Sequence, residues 1–75
     1  MIKVYGKSNG CSNCQVAKEK LEKCGIEYNF IDVTQDKESL NLIKSLGYRQ
    51  VPVIEDDGDW YTLKTLDDLL FTLGY

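Results

Sequence analysis

The hydrophobic pattern of this chain switches repeatedly between the two-residue period of a strand and the roughly 3.6-residue period of a helix. Ile2-Lys3-Val4-Tyr5 alternates and reads as a strand, followed by a polar loop, Gly6-Lys7-Ser8-Asn9-Gly10. From Ser12 the period lengthens. Ala17, Leu21 and Cys24 share one helix face, Lys18–Glu22 and Glu19–Lys23 are set to pair on the other, and Gly25 supplies the stop. Ile26 to Val33 is β-branched and aromatic, which predicts a buried strand. Asp36 or a neighbour caps a second helix with Leu40, Ile43 and Leu46 inward and Gly47 at its end. Val51 to Ile54 reads as a third strand with Pro52 near its start. Asp56-Asp57-Gly58-Asp59 is a turn in which Gly58 supplies a positive φ, and Trp60 to Thr62 returns as a fourth strand. Thr65 and Asp68 have the spacing of a capping pair, opening a last helix faced by Leu66, Leu69, Leu70 and Leu73.

That order, β-α-β-α-β-β-α, leaves few possible sheets. Strands one and two, joined through a helix, should be parallel with a right-handed crossover. The closing hairpin is antiparallel, so the expectation is an α/β fold with a four-stranded mixed sheet covered by helices on both faces. With 75 residues this is a single domain over residues 1–75. A chain of that size buries roughly 60 % of its unfolded surface, so the core is thin and the chemistry must use few residues.

Composition removes several function classes. There is no histidine, which excludes His-based triads and most zinc sites, and the net charge of −3 has its basic residues scattered. A nucleic-acid binder shows a basic stripe instead. The longest apolar run, Leu69-Leu70-Phe71, is too short to span a bilayer, and the opening residues lack the apolar core of a secretory leader. The expectation is a cytoplasmic protein that engages neither membrane nor nucleic acid. Three cysteines, Cys11, Cys14 and Cys24, are an odd number for a static disulfide framework, and reactive thiols explain them better.

Cys11-Ser12-Asn13-Cys14 falls where the first strand and its loop hand over to the first helix. Cysteines at this spacing in a helical first turn lie on one side, with Cα atoms near the roughly 5.5 Å that a disulfide prefers. The first turn also offers unpaired N–H groups and the positive end of the helix dipole, both of which favour a thiolate. A free thiol titrates near 8.5 or so, and such sites lower that value by one to several units. Cys11 at the tip is the expected nucleophile, and Cys14, one turn in, the resolving thiol. Lys7 adds a nearby positive charge, and Ser12 and Asn13 cap the helix or tune the pair. Zinc is disfavoured because it needs four ligands and Cys24 lies too far along the helix. An iron–sulfur centre shared between two chains is the alternative metal reading. Cys24 itself fits the apolar stripe as a small hydrophobe.

With these residues in view, the chain resembles the thioredoxin-fold redoxins, specifically glutaredoxins and the small NrdH-type redoxins. The likeness rests on Val4-Tyr5, Cys11-Ser12-Asn13-Cys14, the run Leu46-Gly47-Tyr48-Arg49-Gln50-Val51-Pro52-Val53, and Trp60. It implies that Pro52 is cis and lies beside the cysteines, and that Val51 presents its backbone to an extended substrate. Glutaredoxins carry Thr-Val-Pro and then two glycines before an acidic residue that holds glutathione. Here Gln50 replaces the threonine, Lys64-Thr65-Leu66 stands in place of the glycine segment, and Asp67 matches the acidic position. The NrdH-type run after the tryptophan, Ser-Gly-Phe-Arg-Pro, is also replaced, by Tyr61-Thr62-Leu63-Lys64-Thr65. The resemblance thus implies a thiol–disulfide oxidoreductase, monomeric and with no bound cofactor. Its electrons come from glutathione or thioredoxin reductase, and ribonucleotide reductase is the leading client. Lys7, Ser12, Asn13, Gln50, Val51, Pro52, Lys64 and Asp67 are the candidate substrate or glutathione contacts. A cluster carrier and a non-catalytic binding module are the rival readings.

Overall fold

The structure, a computed structural model, describes residues 2–74. The elements run β1 (Ile2–Gly6), α1 (Ser12–Lys23), β2 (Tyr28–Asp32), α2 (Lys37–Ser45), β3 (Val53–Asp56), β4 (Asp59–Thr62) and α3 (Leu66–Thr72). The sheet order is β2-β1-β3-β4. β1 pairs with β2 in parallel and with β3 antiparallel, and β3 pairs with β4 antiparallel. This is the mixed sheet expected from the element order.

β1 is a central strand, and its alternation divides two cores. Ile2 and Val4 pack with Ala17 and Leu21 of α1, Ile54, and Leu66, Leu69 and Leu70 of α3. Tyr5 points the other way, toward Val33, Ile43 and Val53 under α2. The period of two thus assigns α1 and α3 to one face and α2 to the other. β2 lies at an edge and is half-buried, where the sequence predicted a buried strand. Its β-branched and aromatic content is satisfied by packing on the flanks of both cores, through Tyr28 and Phe30 on one and Ile31 on the other.

Local signals were mostly obeyed. Asp36 accepts from the N–H groups of Glu38 and Ser39, a cap worth about 1 kcal/mol. In the β3–β4 hairpin both loop residues, Asp57 (φ 51°) and Gly58 (φ 89°), adopt the left-handed conformation that matches strand twist. Others were overridden. β3 begins at Val53 rather than Val51, because Pro52 has no N–H to give the ladder. Thr65 does not cap α3: its hydroxyl oxygen accepts from Thr62 N–H instead, tying the helix start to the end of β4. Leu46 and Leu73, predicted inward, are the C-caps of α2 and α3 and remain exposed. Neither charge pair expected along α1 forms among the described residues. Lys18 sits over the Phe30 ring (4.5 Å), Glu22 accepts from the Tyr28 hydroxyl, and Lys20 reaches across to Asp67 (2.9 Å).

Candidate active site

The site grows from the C-terminal end of β1. After Gly6 the loop delivers the chain to Cys11, which takes an extended conformation (φ −130°, ψ 97°) and caps α1. Its sulfur accepts a hydrogen bond from the Cys14 N–H at 3.2 Å. The first turn of α1 thus directs one of its orphan donors onto Cys11 Sγ, where it favours negative charge. Cys11 and Cys14 are joined as a disulfide with Cα atoms 5.3 Å apart. Cys11 is half-buried, whereas Cys14 is 1 % exposed. The two thiols therefore differ in access as the sequence predicted. Cys24 is a free thiol at the far end of α1, packed on the α1–α3 core.

The wall behind Cys14 is Gly6. A β-carbon there would lie 2.8 Å from Cys14 Sγ and 3.1 Å from Phe30 Cε1, so only glycine lets the strand pass this close. Gly6 was read from sequence as loop, and its role was missed. The one signal was its position directly after an alternating strand, which does not distinguish a flexible residue from a close approach. The ladder Lys3↔Glu55, Val4↔Ile54, Tyr5↔Val53 ends at Val53, the residue after Pro52. The Val51–Pro52 bond is cis, as the resemblance implied, and Pro52 shares a groove with Asn13 of the Cys11–Cys14 turn.

Asp32 closes β2 and pairs with Gly6 in the ladder. Hydrogen bonds from Thr34 and, secondarily, from Ser8 of the active loop lower its carboxyl from 3.8 to about 2. A lowered native pKa favours the charged form, so the contribution is present above the unfolded value and lost as pH falls through the folded one. Wild-type stability is therefore expected to decline between pH 3.8 and about 2 more steeply than that of Asp32→Asn. Acid titration followed by circular dichroism checks this, and parallel curves would remove the role of Asp32.

The remaining candidates divide. Asn13, Gln50, Val51, Pro52 and Lys64 line one groove of about 450 Å³, together with Tyr48, Arg49 and Leu63. Lys7 lines a second groove on the α2 side, which shares residues 47–51 with the first. Ser12 is exposed at the start of α1 and lines neither groove. Asp67 is also apart from both, and its carboxylate is held by Lys20. The structure does not group it with the residues chosen beside it. Tyr48 was missed as a site residue: its ring packs on Trp60 (6.3 Å between centroids), and Trp60 in turn packs on Tyr5 (5.7 Å).

Comparison with known proteins gives the same picture. The Glutaredoxin family model matches residues 2–60. The glutaredoxin-like protein NrdH of Lactococcus lactis subsp. cremoris is 33 % identical over 57 residues, covering 76 % of this chain and 78 % of the relative. In fold, the NrdH-redoxin of Escherichia coli superposes with a TM-score of 0.80 at 22 % identity, covering 91 % of this chain and 92 % of the other. A glutaredoxin of Archaeoglobus fulgidus gives a TM-score of 0.69 at 23 % identity, over 92 % and 84 % of the two chains. The mixed four-stranded sheet with three helices is thus the thioredoxin fold. Because the matched region runs from β1 through the proline loop to Trp60 and so takes in both cysteines of the disulfide, this chain belongs to the glutaredoxin family of thiol–disulfide oxidoreductases, as a small redoxin of the NrdH type.

Proposed function

We propose that the protein is a cytoplasmic, monomeric protein-disulfide reductase in which Cys11 attacks and Cys14 resolves, with ribonucleotide reductase as its principal client. The observation that supports this most is the asymmetry of the pair: Cys11 Sγ at the helix tip receives the Cys14 N–H, and Cys14 is buried behind it. In the dithiol form, the Cys11 thiolate attacks one sulfur of the client disulfide. The other client sulfur leaves as a thiolate and takes up a proton. The Cys14 thiolate then attacks Cys11 Sγ and expels the second client thiol. Two electrons have passed to the client, and the Cys11–Cys14 disulfide remains to be reduced. A reducing compartment suits this cycle. Val51, just before the cis proline, offers its backbone as a short added strand for the client. The client assignment follows from the likeness to NrdH-type redoxins.

Thioredoxin reductase is the donor favoured over glutathione. The acidic residue that would hold glutathione, Asp67, is already paired with Lys20, and Gln50 stands where glutaredoxins place threonine. The Escherichia coli structural relative is itself described as having a thioredoxin-like activity profile. Oxidised protein mixed with NADPH and thioredoxin reductase should be reduced at least about tenfold faster than with millimolar glutathione and glutathione reductase, as expected where only one donor has a fitted site. Comparable or reversed rates overturn the donor assignment.

A further inference from the structure

The groove on the α2 side of the proline loop shares its Gly47 to Val51 wall with the groove described above, but its floor takes no part in the thiol chemistry. It encloses about 620 Å³, with Val33, Leu40 and Ile43 as its apolar floor. Lys7, Lys44 and Arg49 stand among its lining residues, and Lys64 lines the neighbouring groove with Asn13 and Pro52. These are four of the nine Lys and Arg residues in the chain. Among the described residues lining either groove there is no carboxylate, although the chain carries twelve and is net −3. Asp56, Asp57 and Asp59 lie at the β3–β4 turn, the far end of β3 from Pro52. The Asp32 carboxylate stands at the Cys11–Cys14 end of the sheet, where Thr34 and Ser8 hold it, but it lines neither groove, so the charged side chains lining the two grooves are all cations.

We propose that this second groove docks the client: it takes a bulky apolar side chain flanked by carboxylates, on the same polypeptide that presents its disulfide to Cys11. The inference rests on the redoxin reading and adds the substrate's chemistry to it. The shared wall is what links the two grooves. A segment extended along the Val51 backbone projects successive side chains to opposite sides. With its sulfur on the Cys11 side, its neighbours face the α2-side floor. The floor buries one apolar side chain, and the three cations attract the carboxylates around it, raising the encounter rate at low salt. A client with basic residues near its disulfide meets repulsion instead.

The test uses pre-reduced protein in single turnover, so no donor is involved. Three peptides share one intramolecular disulfide: one carries leucine flanked by two glutamates, one has glutamine for both glutamates, and one has alanine for the leucine. The first should react about tenfold faster than the second at low ionic strength, and the advantage should shrink to about twofold near 0.5 M salt. The alanine peptide should react about fivefold more slowly than the first. In Lys44→Glu the ratio of acidic to amide peptide should fall to about one or below, a ratio measured within one variant and so insensitive to its folded fraction. Equal rates for all three peptides in the wild type overturn the docking groove and leave the redoxin reading standing. A preference that survives Lys44→Glu also overturns it. Reduction of none of the peptides overturns the redoxin reading itself.

Discussion

Cys11→Ser is expected to lower protein-disulfide reduction by on the order of a thousandfold or more, because a serine hydroxyl is neither ionised at neutral pH nor a useful nucleophile toward sulfur. The substitution separates chemistry from folding. Serine is a preferred N-cap, so it can take over the hydrogen bond that Cys14 N–H now makes to Cys11 Sγ. The variant should therefore melt close to the reduced wild type while failing to turn over. Cys14→Ser should behave differently and accumulate a mixed disulfide on Cys11, visible by mass spectrometry. Wild-type turnover from Cys11→Ser would end the assignment of attack to Cys11. If client affinity survived loss of both thiols and no disulfide exchange were detected in the wild type, the chain would be a binding module instead.

Gly6→Ala should destabilise the protein by about 1–3 kcal/mol, the usual cost of overpacking a tight site. The sign is informative. Gly6 sits in the β1 ladder opposite Asp32, where alanine is otherwise compatible, and restricting the unfolded chain alone would stabilise by roughly 0.4–1 kcal/mol. The opposing contact is with Cys14 Sγ at 2.8 Å and Phe30 at 3.1 Å, and neither side chain has a free end that can swing away. For a domain this small, each 1 kcal/mol corresponds to roughly 4–8 °C in Tm. Calorimetry of the wild type and variant, each oxidised and reduced, measures the effect. Displacing Cys14 should also slow resolution of the mixed disulfide relative to its formation. A Tm equal to or above that of the wild type would mean that the strand does not constrain Cys14.

The sequence was most legible where a signal is local. The helix faces of Ala17 and Leu21, the Asp36 cap and the turn at Gly58 depend on residues within one or two turns of each other, and all appear as expected. Errors fell where another partner competed. Thr65 had the spacing of a cap, but the end of β4 took its hydroxyl. Lys18 and Glu22 had the spacing of a pair on α1, but β2 offered the Phe30 ring to one and the Tyr28 hydroxyl to the other, while α3 brought Asp67 to Lys20. The same contact separates Asp67 from the other candidate binding residues.

By itself the chain's order of residues determined its elements and the placement of a dithiol at a helix start, because backbone propensity, capping and the reach of two cysteines in one turn are short-range effects. Tertiary structure alone decided that β1 is central and β2 an edge, that Gly6 backs Cys14, that Pro52 joins Asn13 in one groove, and that four cations gather around the proline loop. Those facts join residues from eight to some sixty positions apart. Such contacts are set by strand order and side-chain packing, and no local pattern encodes them.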